Sequence, residues 1–414
     1  MKELIFNLIQ HTPMLHFQGN QPNATLRVSD VKPRFDRWLI DTKFAGNFDS
    51  CKKFMIGYNN EKELKDKFNA GFRSLNYKMK IVLQDNTNSK TALVSSCPMY
   101  FGKKIYTVCC NNIVSFVFPK TSEGLYDIVY KYFSEFINTH NFGTRSSKGY
   151  GSFTVENTSV VGSYGQSSVI GIDLDGKNWR DVLSSIDLFY KTIRSGINFT
   201  YTKSDKVKKC GYYFKSMLYS YVETKYSGKH WDKKVIKNHF LKQKSHDIVN
   251  DAKIDVRDYL GLSTSELWKK YNMSIKKSID GISRFPSPIT FKPVKKGKGW
   301  QVYMILSEIP NELKGREVIV KGKKAIKDKD ARELIDNIES HSLKGMKMAS
   351  DFSIEDYFNF LFANKPDNMN SSEWSNAVDV ERRFHKYDES KNYEIKKIVE
   401  FYKKIRKVYL NRNK

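Results

Sequence analysis

Between Asn141 and Phe153 the chain reads NFGTRSSKGYGSF, with Gly143, Gly149 and Gly151 packed into nine residues. Glycine reaches backbone conformations closed to other residues and lets a second backbone come near. Ahead of this stretch, Leu125, Ile128, Val129, Tyr132, Phe133, Phe136 and Ile137 recur at helical spacing, which predicts a helix over Glu123–His140. Behind it, Ser152 to Val161 is strand-like. The segment must therefore turn sharply from a helix into a strand. Arg145, Lys148 and Tyr150 lie between the glycines, and positive charge interleaved with an aromatic suits a polyanion carrying flat bases. Arg145 and Lys148 are candidates for phosphate contact together with backbone N–H groups, against the blander option of an exposed turn. Tyr150 either stacks on a base or packs beneath the loop.

The other elements fall around this junction. Glu3 to His11 is a short apolar strand ended by Thr12-Pro13, and a polar, turn-rich loop runs from His16 to Arg27. Ser29-Asp30 is placed to cap a helix through Ile40, with Pro33 in its first turn. Tyr77–Leu83, Thr91–Cys97, Ile105–Cys110 and Ile113–Phe118 read as strands. Strand, helix, strands, helix, glycine loop, strand is the order of a ferredoxin-like domain with insertions. A second unit begins near Ser167, with a strand at Ser168–Leu174 and helices at Trp179–Tyr190 and Gly211–Tyr226. A hairpin with a basic tip, Lys295–Gly299, joins Ile289–Val294 to Trp300–Ile309, and Pro286 and Pro288 favour an edge position for its first strand. From about Ala325 the pattern is mostly helical, and Glu394–Tyr409 is its clearest part.

The charge balance narrows the partner. Lys and Arg number 71 against 45 acids, a net charge of +26, which points to a polyanion. Nucleic acid comes first and an anionic membrane surface second. Lys203–Lys244 holds twelve lysines and three acids, set among Tyr212, Tyr213, Tyr219, Tyr221, Tyr226 and Trp231. It reads either as a solvated surface or as a face that meets RNA. The five cysteines form no CxxC pair, no apolar run approaches membrane-spanning length, and the start lacks a signal-peptide pattern. A reducing, cytoplasmic compartment is the expectation.

Three stretches carry a family resemblance. Thr12-Pro13 followed by Ala24–Lys32 is similar to an early TP…LR…S-x-K segment. Phe142–Phe153 resembles a G-x-R-x-x-x-G-x-G loop, and Arg284–Ile289 with Phe291-Lys292-Pro293 resembles an R-x-x-SP strand. Together they resemble the RAMP-superfamily subunits of type III CRISPR effector complexes, closest to the Cmr (type III-B) kind, and in particular the two-domain subunit near the 3′ end of the guide RNA. The resemblance implies an α+β fold of tandem ferredoxin-like (RRM-like) domains with insertions. It would divide into 1–163, 164–324 with a lysine-rich insertion, and a helical C-terminal extension at 325–414. It also implies an RNA-binding structural subunit in antiviral defence, whose partners are guide RNA, complementary target RNA and other effector subunits. The expected contacts are Gly143, Arg145, Lys148, Gly149, Tyr150 and Gly151 in the loop, with Arg27, Lys32 and Arg34 after the first strand. Ser146 and Ser147 stand where the family's loop carries basic residues, which either weakens the phosphate grip there or shifts it to Lys148.

The alternative is a metal-independent guide-RNA-processing endoribonuclease, for which His11 and His16 are the candidate acid and base. Nothing else in the sequence is predicted to converge on them. Asp173-Leu174-Asp175-Gly176 resembles the start of a calcium loop, but the later ligands are missing and a strand end with a turn explains it better. No cofactor and no metal site are expected.

Overall fold

The computed structural model describes residues 2–15, 25–84, 92–94, 98–99, 105–107, 110–122, 124–160, 169–202, 209–226, 231–241, 253–262, 265–268, 272–282, 284–324, 341–362 and 393–412. In order these contain β1 (Lys2–Gln10), α1 (Val28–Lys43), α2 (Phe48–Cys51), α3 (Glu61–Asn69), β2 (Lys78–Leu83), β3 (Ala92–Val94), β4 (Ile105–Thr107), β5 (Asn112–Phe118), α4 (Leu125–Thr139), β6 (Phe153–Val155), β7 (Val169–Leu174) and α5 (Trp179–Arg194). There follow β8 (Ile197–Thr202), β9 (Lys209–Phe214), α6 (Met217–Lys225), α7 (Asp232–Leu241), β10 (Lys253–Asp255), β11 (Glu266–Trp268), β12 (Met273–Ile279), β13 (Ile289–Lys296), β14 (Gly299–Leu306), β15 (Glu317–Lys324), β16 (His341–Met348), α8 (Ile354–Phe362) and α9 (Tyr393–Arg412). The chain divides into two compact units, one of Met1–Ile186 with Thr290–Ile305 and one of Asp187–Ile289 with Leu306–Lys414.

In the first unit, β2, β5, β1 and β6 form one sheet in that order, and every neighbouring pair is antiparallel. With α1 after β1 and α4 after β5, this is the βαββαβ connectivity of a ferredoxin-like domain. The alternation of the strands decides which face is covered. Leu4, Phe6 and Leu8 of β1 and Val114, Phe116 and Phe118 of β5 point to one side, where Phe35 and Leu39 of α1 and Val129, Phe133 and Phe136 of α4 close the core. Glu3, Ile5 and Asn7 lie exposed on the other face. Phe116 is the hub: its ring meets Phe6, Phe35, Tyr77, Phe118 and Phe133 at centroid distances of 4.8 to 6.4 Å. A second sheet, β13-β14-β7, pairs Trp300 with Leu174 and Ile305 with Val169. β7, α5, β13 and β14 repeat the first three strands and first helix of the same motif, with residues 197–288 inserted before β13. β13 lies at the sheet edge, where Pro293 costs no ladder bond to a further strand.

In the second unit five strands run β10-β16-β15-β12-β11, with β10 parallel to β16. Its interior is partly ionic. Lys277 Nζ donates to Asp232, Asp255 and Asp258 at 2.9, 2.6 and 2.6 Å, while Arg257 reaches Asp232 at 2.9 Å and Glu266 at 2.5 Å. The three aspartates are close enough to hold a metal ion, and the Lys277 ammonium already bridges them. Burial and the neighbouring Asp258 raise the Asp255 carboxyl, which limits the negative charge to be balanced. Aromatic rings complete this interior: Tyr259 stacks on Phe352 at 5.1 Å, and Tyr221 meets Tyr357 edge-on at 5.2 Å.

Several boundaries differ from the sequence reading. Helix α1 starts three residues early, with Arg27 at the N-cap and no side-chain cap bond, so Ser29-Asp30 falls inside the first turn and Pro33 in the second. Asp30 there complements the helix dipole instead of capping it. β6 stops at Val155 because Asn157 takes a left-handed conformation at φ 60°. Gly211–Tyr226 is not one helix: its first part belongs to β9, which pairs with β8, and Ser216 then caps α6 by accepting from the Tyr219 N–H. Past Ala325 the chain also contains strand β16. Among the described residues no helix is long and apolar enough to cross a membrane.

Phe116→Ala should open a cavity that its aromatic neighbours cannot close and destabilise the first unit by about 3–5 kcal/mol, seen as a lower urea midpoint.

Candidate nucleic-acid interface

The glycine segment is a compact turn stitched to the end of β1. Thr144 N–H donates to Leu15 O at 2.8 Å, Gly151 N–H to Pro13 O at 2.9 Å and Phe142 N–H to Gly151 O at 2.9 Å. Thr12 Oγ1 donates to Gly149 O at 2.6 Å and accepts from Ser152 N–H at 3.0 Å. Two glycines are required by this path. Gly151 has φ +63°, and a Cβ there would sit 1.9 Å from Phe142 O; Gly143 has φ +82°, and a Cβ would meet Leu15 O at 2.7 Å. The sequence predicted close approach by a backbone, and here the approaching backbone is the chain's own.

Asn141 and Lys292 hold the turn from below. Asn141 Nδ2 donates to Ser146 O at 2.8 Å and to Phe291 O at 2.7 Å, and Phe291 N–H returns to Ser147 O at 3.0 Å. Lys292, fully buried, sends Nζ to the carbonyls of Ile137, His140 and Phe153 at 3.0, 2.9 and 2.7 Å, with Asn141 Oδ1 at 3.4 Å. Two of those carbonyls belong to the C-terminal end of α4, where a cation is favoured. Burial, then Arg34 nearby, pulls the Lys292 ammonium well below the usual lysine range. The three carbonyls, which favour the charged form, oppose that pull.

The predicted contact residues separate into distinct places. Arg145 is exposed at the crest of the turn, in a left-handed conformation with φ 62°. Gly143 is exposed beside it. Arg34 joins this group from α1: its Nη1 donates to Asn141 O at 2.8 Å and its guanidinium lies 4.9 Å from the Phe142 ring centroid. Lys148, Gly149 and Tyr150 are buried. Tyr150 packs under the loop, with its hydroxyl on Pro98 O at 2.5 Å and its ring edge-on to Trp179. Arg27 is exposed at the start of α1. Lys32 points elsewhere, to Asp36 at 2.6 Å, to Leu75 O at 2.9 Å and over the Tyr77 ring. Sequence reasoning gave no structural part to Asn141 or Lys292.

His11 is buried with both ring nitrogens engaged. Nδ1 accepts from Lys295 N–H at 3.1 Å, which leaves Nε2 as the donor to Thr154 Oγ1 at 2.8 Å. Burial, with Lys292 and Lys295 nearby, pushes its pKa down to about 3. His16 lies outside the described residues. Asp173 and Leu174 end β7 opposite Gln301 and Trp300, as a strand end with a turn requires.

Two outcomes follow for stability. Lys292→Met takes a charged donor from three carbonyls, with Ile137 O keeping only His140 N–H at 3.4 Å, and should lower the urea midpoint by the equivalent of about 3 kcal/mol. His11 is held neutral in the folded chain and takes a proton at about 6.5 in the unfolded one. Its contribution is therefore complete above pH 6.5 and shrinks as pH falls toward 3, by roughly 2–3 kcal/mol between pH 6.5 and 4.5. His11→Asn keeps an acceptor for Lys295 N–H and should flatten that part of the stability-versus-pH curve in urea melts.

Residues 1–197 match the Cmr1 N-terminal domain model, and residues 213–395 match the Cmr1 C-terminal domain model. No curated relative matches the sequence. Among solved structures, apo Cmr1 from Pyrococcus furiosus is similar at 12% identity and a TM-score of 0.35, over 75% of this chain and 90% of that one. Two domain models in the same order, spanning most of the length, place the chain in the Cmr1 family, among the subunits of Cmr (type III-B) CRISPR complexes.

Proposed function

We propose that this chain is a non-catalytic RNA-binding subunit that helps its complex capture complementary RNA for other subunits to cleave or signal. Guide and target RNA are its ligands, and neighbouring Cmr subunits are its protein partners. The observation that carries the reading is Arg145. A charged residue stands exposed in a left-handed conformation that costs an L-residue about 1–2 kcal/mol, on a turn locked by backbone bonds. Arg34 lies against the same turn, and the net charge of +26 supplies long-range attraction for a phosphate backbone. Lys148, Gly149 and Tyr150 serve here by shaping the turn from inside, and Arg27 adds an exposed cation at the start of α1. Lys32 acts through α1, by fixing Asp36 and Tyr77.

The exposed face of the β2-β5-β1-β6 sheet, with Ile5 on it, is the surface offered to a neighbouring subunit. His11, with both nitrogens committed and no charge near neutral pH, is poorly suited to act as a general acid, which favours a structural subunit over a guide-processing nuclease.

Single-stranded RNA binding followed by anisotropy across a salt series tests this. Arg27→Ala with Arg145→Ala should weaken binding and make the log–log salt slope shallower by about 1.4, two phosphate contacts at roughly 0.7 each. An unchanged affinity and slope would remove the loop from the RNA path. Repeat RNA kept with the chain in a metal chelator should stay intact; cutting that His16→Ala abolishes would establish the nuclease instead.

A further inference from the structure

We infer that a basic, aromatic-walled cavity inside the second unit takes a single unstacked nucleotide of single-stranded RNA, the base against its rings and the phosphate on its lysines. This rests on the RNA-binding reading above and assigns a site separate from the glycine turn. The cavity holds about 570 Å³, within the range of small-molecule sites. Tyr213, Tyr219, Trp231 and Trp268 supply its rings. Lys215, Lys233, Lys234 and Lys237 supply its charge, and none of the described residues lining it is acidic.

The local structure explains how these side chains come together. Ser216 starts α6 and sets Lys215 just before it and Tyr219 in its first turn. The Lys215 ammonium lies 4.7 Å from the Tyr219 ring centroid. Trp231 precedes α7 and meets Tyr219 edge-on at 5.9 Å. Lys233, Lys234 and Lys237 follow on the first turns of α7, and Lys237 reaches within 6.0 Å of the Trp268 ring on β11. Rings and ammonium groups are thus interleaved at the scale of one nucleotide.

The site is also rigid at its base. Asp232, between Trp231 and Lys233, is buried and bonded to Arg257 Nε at 2.9 Å and to Lys277 Nζ at 2.9 Å. The ionic cluster therefore fixes the start of α7 before any ligand arrives, which lowers the ordering cost of binding. Burial, then Arg257, pushes the Lys233 ammonium down to about 8, so an arriving phosphate relieves an unfavourable charge. Bases in a duplex keep their faces stacked, whereas a single strand can offer one ring to an aromatic wall and its phosphate to nearby cations. An acidic peptide would use the lysines and leave the tryptophans idle.

The test uses the full chain and a short single-stranded RNA carrying one 2-aminopurine. Binding should quench the probe by stacking. Trp268→Ala should weaken binding about tenfold and abolish the quench, and Trp268→Phe should restore most of both. Lys233→Ala with Lys234→Ala should weaken binding comparably while the quench at saturation remains. The thermal midpoint of Trp268→Phe should match the parent chain, and that of the lysine pair should be no lower. RNA bound with affinity and quench indifferent to these variants overturns the pocket and leaves the RNA reading standing. A wild-type chain that binds no RNA overturns both. Displacement of the bound RNA by polyglutamate that leaves the 2-aminopurine signal at its unquenched value throughout also overturns the pocket.

Discussion

A single ammonium group, Nζ of Lys292, holds together segments that the sequence separates by more than a hundred residues. It joins the last carbonyls of α4 to the first residue of β6 and touches Asn141 at the start of the glycine turn. Its energetics explain why the arrangement is all-or-none. A lysine taken fully out of water is costly, and only several good acceptors at once make that position tolerable. Two of the acceptors lie at a helix end, where Ile137 O otherwise receives only a long 3.4 Å bond from His140 N–H, and the third is Phe153 O of β6. The second unit meets a similar constraint with ions of both signs, where Lys277 and Arg257 are set among four carboxylates. In both places the polar interior fixes the position of a turn or a helix start that carries candidate ligand contacts.

Much of the first unit was legible. α4 was clear because its apolar residues keep one face over four turns, and β5 because it alternates and ends at Pro119. The glycines were correctly tied to close backbone approach, although spacing alone does not say whose backbone approaches. Tyr150 had two readings, and burial under the turn is the one observed. Other features were hidden for physical reasons. Lysine is read as a surface residue because it is almost never buried, and β13 does not alternate, so nothing marked Lys292 as internal. Lys277 did leave a trace: Met273, Ile275, Lys277 and Ile279 fall on one side of β12, and that side is buried. The Gly211–Tyr226 segment was misassigned because closely spaced aromatics satisfy a helical period and a strand period alike.

The candidate interface has the same division. The sequence located the turn and Arg145, and charge excess indicated a polyanion. The Lys32–Asp36 pair has the i,i+4 spacing of one helix face and was open to the sequence, whereas the contacts of Lys32 with Leu75 O and the Tyr77 ring depend on where those residues come to lie against α1. The lysine-rich insertion left its two readings open, and the structure arranges part of it into walls around a cavity.

The first unit is assembled from two stretches of chain, Met1–Ile186 and Thr290–Ile305. On a ribosome, which delivers residues from the N-terminus onward, the helix end and glycine turn emerge well before the lysine that fastens them. Until about residue 305 has been made, β7 has no antiparallel neighbour from β14, and three carbonyls around the turn await their donor. The nascent chain must therefore keep its early half incomplete through synthesis of about a hundred intervening residues, an interval of roughly 5–20 seconds at ordinary elongation rates. Strand edges left without their neighbours in that interval are open to wrong pairing, a hazard that comes from the topology itself.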